Sequence, residues 1–175
     1  MIEIRKDDIG EEDMSLQQIV FDTLHTMDIA YELQEHQPVY TMDEMDALGI
    51  DRDGTIVKNL FLCDAKGKKH FLLVLKGNKR ADLKAIREKI GSTPLRFASE
   101  ERLFKHMKLS QGSVSPFGVL HNQACDVTVV FDEDLKNERM VGVHPNDNRA
   151  TVWLSFSDLV KVVEKHGNPI LYVYI

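Results

Sequence analysis

The sequence predicts a single α/β (α+β) domain in which a mixed β-sheet is flanked by helices. Three observations lead there. The chain has 175 residues, 43% hydrophobic and 29% charged, enough to bury a sizeable core. Stretches of alternating apolar residues are interleaved with stretches of helical spacing. No composition break, internal repeat or low-complexity tract divides them. No apolar run approaches the roughly 18–20 residues that cross a bilayer, and Met1 to Asp13 is acidic where a leader would be basic and then apolar, so the expectation is a cytoplasmic protein. Cys63 and Cys125 lie far apart with no Cys-x-x-Cys spacing and read as reduced core thiols.

Residues 1–14 read as an acidic extension and 15–175 as the folded domain. Ser15-Leu16-Gln17-Gln18 has the pattern of a capping box, and Leu16, Ile19, Val20, Leu24 and Met27 then recur at helical spacing, giving a helix to about Asp28. Tyr31 to Glu35 is a short strand, and Thr41-Met42-Asp43-Glu44 is a second capping box opening a helix over 42–48 with Gly49 behind it. Thr55 to Cys63 and His70 to Leu75 form a hairpin around Asp64-Ala65-Lys66-Gly67-Lys68. Ala81 to Ile90, closed by Gly91, and Ser99 to Lys108 are helices, and Gln111 to Gly118 is a loop. Val127 to Phe131, Arg139 to Val143 and Thr151 to Leu154 are strands. Ser155 caps a last helix ending near Gly167, and Leu171 to Ile175 is a final strand.

The net charge of −6 argues against indiscriminate binding to nucleic acid, yet it is unevenly distributed. Residues 1–57 carry 3 basic and 15 acidic side chains, residues 58–108 carry 14 and 5, and residues 109–175 carry 5 and 8. Lys66, Lys68, Lys69, Lys76, Lys79, Arg80, Lys84, Arg87 and Lys89 crowd into the hairpin and the helix after it, as a phosphate-facing patch or as a solvated helix face.

Three places could carry chemistry. Alternation along Ile56 to Leu62 puts Lys58 on one face with Ile56, Leu60 and Leu62, an expensive place for an ammonium unless it meets a phosphate or an oxyanion; a snorkelling edge lysine is the alternative. Val143-His144-Pro145-Asn146-Asp147-Asn148 runs from a strand into a turn, so His144 reads either as a base or substrate ligand at a rim or as plain turn chemistry. Gly112-Ser113-Val114-Ser115-Pro116-Phe117-Gly118 offers backbone amides to a ligand, but has neither the spacing of a nucleophile elbow nor that of a Walker loop. The seven histidines show no metal-ligand spacing, so no metal or cofactor is expected.

Taken together, several motifs resemble the YbaK/ProX family, the deacylase domain related to the editing insertion of bacterial prolyl-tRNA synthetase, and most nearly its free-standing ProX-type members. They are Glu35-His36-Gln37-Pro38-Val39 with Thr41, Lys58-Asn59-Leu60-Phe61-Leu62-Cys63-Asp64, Arg96-Phe97-Ala98-Ser99 with Glu101-Arg102-Leu103, the Gly112 to Gly118 loop, and His144-Pro145-Asn146 with Asn148 and Thr151. The resemblance implies a bent mixed sheet and an aminoacyl-tRNA hydrolase, a carboxylic ester hydrolase, which removes alanine from proline tRNA in trans. It implies that Lys58, Gly112 and His144 are catalytic and that Asn59, Ser113, Ser115, Pro116, Pro145, Asn146 and Asn148 bind substrate. Lys66, Lys68, Lys69, Lys79, Arg80 and Lys84 would then meet the tRNA. The implied partners are the acceptor end of proline tRNA and prolyl-tRNA synthetase, with no membrane and no DNA. A relative acting on cysteinyl or another small aminoacyl ester, and a non-catalytic module that binds aminoacyl-tRNA or a synthetase, are the competing readings.

Overall fold

A computed structural model describes residues 11–49 and 53–175; the acidic segment 1–10 lies outside the described residues. Among the described residues five α-helices accompany eight strands: α1 (Glu11–Thr26), β1 (Glu32–Glu35), α2 (Met42–Ala47), β2 (Thr55–Cys63), β3 (His70–Lys76), α3 (Leu83–Ile90), β4 (Arg96–Phe97), α4 (Glu100–Met107), β5 (Val127–Asp132), β6 (Val141–Val143), β7 (Ala150–Leu154), α5 (Phe156–His166) and β8 (Ile170–Val173). Short 3-10 helices occupy Pro116–His121 and Glu133–Asn137. The strands form one mixed sheet in the order β1-β7-β6-β2-β3-β5-β8, with β4 also on β2.

Local chemistry explains most boundaries. Thr41 Oγ1 accepts from the Glu44 amide at 3.1 Å while the Glu44 carboxylate accepts from the Thr41 amide at 3.2 Å, a complete capping box. Asp82, Ser99 and Ser155 cap α3, α4 and α5, and Gly91 and Gly167 end α3 and α5 in the left-handed conformation. Three expectations need correction. Among the described residues the first helix is already present at Glu11 and runs through Ser15, so Ser15 lies inside the helix and does not cap it. The last strand is Ile170–Val173, because Lys89 and Lys79 take the Tyr174 and Ile175 carbonyls that a ladder would have used. The two-residue β4, invisible to periodicity, exists through its pairing with Leu62 and Cys63.

Helices cover both faces of the sheet. Val57, Phe61, Leu72, Val74, Val129 and Phe131 pack with α1, α4, α5 and the Pro116–His121 turn on one side. Leu62, Leu73, Leu75 and Val130 pack with Ile86 of α3 on the other. The alternation along β2 is therefore real, and it sends Lys58 and Asn59 to opposite faces.

One irregularity of the sheet creates the site. Opposite β3, the second edge of β2 is shared: Thr55 and Ile56 pair with β6, whereas Leu62 and Cys63 pair with β4. Among the described residues no strand pairs with Val57 to Leu60 on that edge. The β6 junction is tight because residue 142 is glycine: a Cβ there would stand 2.5 Å from Ile56 Cδ1 and 3.0 Å from the Trp153 ring. Beyond it β6 departs from β2 toward His144 and leaves a crevice.

Candidate active site

The crevice has a volume of about 290 Å³. Lys58 and Asn59 come from the open edge of β2, Gly112 and Val114 from the loop, His144 from the end of β6, and Tyr40, Met42 and Met45 from the start of α2. The topology thus brings together three motifs, at Lys58, Gly112 and the stretch from His144 onward, that lie 54 and 32 residues apart along the sequence, and their meeting place lies where neighbouring strands diverge, a usual location for ligand sites.

Lys58 is half-buried, its ammonium donates to the Lys79 main-chain carbonyl, and among the described residues it has no carboxylate partner. Its remaining N–H groups are available to an anion. Asn59 donates from Nδ2 to the Val114 carbonyl at 3.1 Å, which pins the loop to the strand, while its Oδ1 is buried with no hydrogen-bond partner among the described residues. A buried acceptor left open in this way costs stability unless something arrives to fill it.

Gly112 adopts φ +86°, and a Cβ on it would fall 2.7 Å from Tyr40 Cδ1, so only glycine lets the loop backbone lie against that ring. Ser115 donates to the His144 carbonyl at 2.5 Å and accepts from the Phe117 amide at 3.2 Å. It is fully buried and binds the loop to the histidine segment, and Pro116 behind it starts the 3-10 turn. His144 donates from Nδ1 to the Ala150 carbonyl at 2.9 Å, which leaves Nε2 as an acceptor. Burial, with the nearby His36 adding to it, holds the His144 pKa below the ordinary value despite that hydrogen bond. The imidazole is therefore neutral at neutral pH.

The other expected substrate ligands are distributed differently. Pro145 is buried, and Asn146, at φ +61°, donates to the Leu16 and Phe117 carbonyls at 3.3 and 3.4 Å, a structural role in the turn. The Asn148 main-chain carbonyl accepts from the Val39 amide at 3.2 Å. Asn146, Asn148 and Ser113 line a second, larger cleft beside the first, with Tyr40 common to both. Sequence reasoning missed Tyr40, Met42 and Met45 as lining residues and His36 as a neighbour of His144, with ring centroids 6.2 Å apart. The available signal was an aromatic side chain next to the Thr41 cap, which fixes where Tyr40 must sit.

The basic residues form no single patch. Lys66, Lys68 and Lys69 are exposed at the far turn of the hairpin, five residues beyond Lys58 along β2, or roughly 17 Å. Arg80 and Lys84 are exposed near the other end. Lys79 corrects the charge argument: its ammonium donates to Asp132 at 3.0 Å, Asp134 at 2.6 Å and the Ile175 carbonyl at 3.0 Å. Burial disfavours that ammonium, but the two carboxylates outweigh burial and hold its pKa above the ordinary value. Lys79 is a structural ion pair and offers no free charge to a phosphate.

Residues 36–162 match the aminoacyl-tRNA editing domain family. The chain belongs to that family. The prolyl-tRNA editing protein ProX of Acetoanaerobium sticklandii is 52% identical over 156 residues, 89% of this chain and 95% of that protein. The prolyl-tRNA synthetase associated domain-containing protein 1 of Bos taurus is 31% identical over 153 residues, 85% of this chain and 89% of its own. A crystal structure solved as a candidate trans-editing enzyme for prolyl tRNA synthetase superposes with a TM-score of 0.70 at 24% identity, covering 96% of this chain and 99% of that one. The YbaK/ProX kinship and the enzyme class expected from the sequence, an aminoacyl-tRNA hydrolase, accord with these matches. Among the described residues no helix is long and apolar enough to cross a membrane.

Proposed function

We propose that the protein hydrolyses alanine wrongly attached to proline tRNA, acting in trans on the acceptor end of the released tRNA. The observation that carries this is the meeting of an unpaired Lys58, the Gly112 loop and a neutral His144 around one small crevice. The ProX relative supports proline tRNA as the substrate and prolyl-tRNA synthetase as the enzyme whose errors are removed.

An aminoacyl ester is already activated, so water can attack it without a protein nucleophile, and the protein contributes position and charge. Neither cysteine lines the crevice, and the Ser115 hydroxyl is committed to the His144 carbonyl. Lys58 opposes negative charge on the tetrahedral intermediate or the adjoining phosphate. Backbone amides beside Gly112 hold the carbonyl, and Asn59 Oδ1 accepts from the substrate's α-ammonium. His144 Nε2 accepts a proton from water or from the neighbouring ribose hydroxyl, the role for which a neutral imidazole is suited. Met42, Met45, Ile56 and Val114 form an apolar wall that admits a methyl group and excludes the proline ring by size. Arg80 and Lys84 near Lys58 meet acceptor-stem phosphates, and the distant Lys66, Lys68 and Lys69 meet the stem further along, so binding weakens as salt rises.

The test is to incubate the protein with proline tRNA charged separately with alanine, cysteine, serine or proline. Selective loss of the alanyl ester is expected. Preference for the cysteinyl ester would move the assignment to the YbaK type, and survival of all four would leave a binding module in place of an enzyme.

A further inference from the structure

The larger cleft, about 600 Å³, adjoins the crevice across Tyr40 and Gly112, and the deacylation mechanism makes no use of it. We propose that it is a stacking subsite for the unpaired nucleotide that precedes the terminal adenosine of the tRNA, an inference that rests on the deacylase reading above.

Four observations support this. Tyr40 and Phe104 line the cleft while 67% and 54% exposed, and large aromatic side chains left in solvent beside a cavity are the usual platform for unpaired bases. Lys108, in the left-handed conformation at the end of α4, places its ammonium 4.9 Å from the centroid of the Phe104 ring, and among the described residues no carboxylate pairs with it. A cation beside a stacking ring matches a nucleotide, which presents a base and a phosphate together. His121 Nε2 and Asn146 Oδ1, on residues that line the cleft, are buried without hydrogen-bond partners among the described residues. Burial, with the charge of Lys108 adding to it, lowers the His121 pKa, so the neutral ring is ready to bond with a base edge. Finally, Asp147, the carboxylate in this wall, is held by Arg149 Nε at 2.9 Å, so its repulsion of a phosphate is offset.

The geometry of the two openings gives the strand a direction. An ester seated against Lys58 and Gly112 must lead its polynucleotide out of the crevice, and the route over Tyr40 delivers the next base to Phe104. The exposed ring makes the proposal testable without disturbing the core.

The trinucleotide CpCpA and adenosine 5′-monophosphate are titrated into the full-length protein and into Phe104→Ala, Phe104→Trp and Lys108→Ala. Hydrolysis of alanyl-tRNA and of 3′-O-alanyladenosine is followed in parallel. The wild type is expected to bind the trinucleotide about tenfold more tightly than the mononucleotide, the scale of one stacked base. Phe104→Ala should erase that advantage and raise KM for alanyl-tRNA by a similar factor, leaving kcat and the alanyladenosine rate unchanged. Phe104→Trp should restore it, and Lys108→Ala should reduce it and flatten its salt dependence. Equal trinucleotide binding by wild type and Phe104→Ala, or equal loss of activity on both esters in that variant, would overturn the subsite while leaving the deacylase assignment standing. Failure of the wild type to hydrolyse either ester would overturn the deacylase reading itself.

Discussion

Lys58 and Lys79 are in contact, the ammonium of one donating to the main-chain carbonyl of the other, yet their surroundings differ in kind. Lys79 is saturated by Asp132, Asp134 and the Ile175 carbonyl, and Asp132 is fully buried. Lys58 has no carboxylate among the described residues and lines the crevice, to whose wall Asn59 also belongs. A satisfied buried ion pair holds structure together, whereas an unsatisfied charge beside a cavity is poised for a ligand. The difference teaches that basic residues close in sequence are not equivalent, and that the number of partners already present separates them.

The contrast can be broken most severely at Lys58. Lys58→Ala should lower kcat/KM for alanyl-tRNA by at least about 10²-fold, the usual scale for removing a charge that stabilises an oxyanion, with a melting temperature close to wild type. Full activity in that variant would remove Lys58 from the mechanism. Lys79→Ala should do the reverse. It strands a buried carboxylate, which costs roughly 2–3 kcal/mol and lowers the melting temperature by several degrees, while activity of the folded fraction persists at low temperature. An unchanged thermal midpoint would show that Asp132 is content without its lysine.

Gly112→Ala sharpens the comparison with a smaller effect. The positive φ and the approach of Tyr40 oppose a methyl group there, and about a tenfold loss of activity with about 1 kcal/mol of destabilisation is expected in kinetics and thermal melts. A pH-dependent effect concerns His70, at the far end of the hairpin. Its ring lies tilted against His106 with centroids 4.0 Å apart, and it accepts from Arg102 at 3.2 Å. Burial, then the charges of His106 and Arg102, depress its pKa to about 4. The unfolded chain takes up this proton near pH 6.5 and the folded chain refuses it until about 4, so the contribution of His70 to stability is complete above pH 6.5 and declines as pH falls through that window. His70→Gln, which retains an acceptor for Arg102, should flatten thermal stability against pH between 6.5 and 4; an identical profile would assign the decline elsewhere.

Much of the fold was legible because its signals are local. The Thr41, Ser99 and Ser155 caps, the Gly91 and Gly167 ends and the β2–β3 hairpin are all written within a few residues. The failures arose where distant groups intervened. Lysine side chains took the last carbonyls from the final strand, β4 formed only through pairing with β2, and α1 runs through the apparent cap at Ser15. The site was legible as three separate motifs, whereas Met42 and Met45 carry no chemical signature before folding places them at the crevice, and Tyr40 is marked only by its place beside the Thr41 cap. Ser115 and Asn146 show the converse, since side-chain donors expected to meet a substrate donate to main-chain carbonyls of the protein itself.

The sequence by itself determined the alternation of strands and helices, the caps that bound the helices, the odd placement of Lys58 on an apolar strand face and the concentration of positive charge in the middle third. These depend on periodicity and on hydrogen bonds between near neighbours, which a chain encodes residue by residue. Only the tertiary structure decided which positive charges stay free, because Asp132 and Asp134 lie more than fifty residues from the lysine they neutralise. It also decided where the crevice opens, because that depends on β6 and β4 sharing one edge of β2 and leaving Val57 to Leu60 between them without a partner strand on that edge. Charge and cavity are relations between segments, and they exist only once those segments pack.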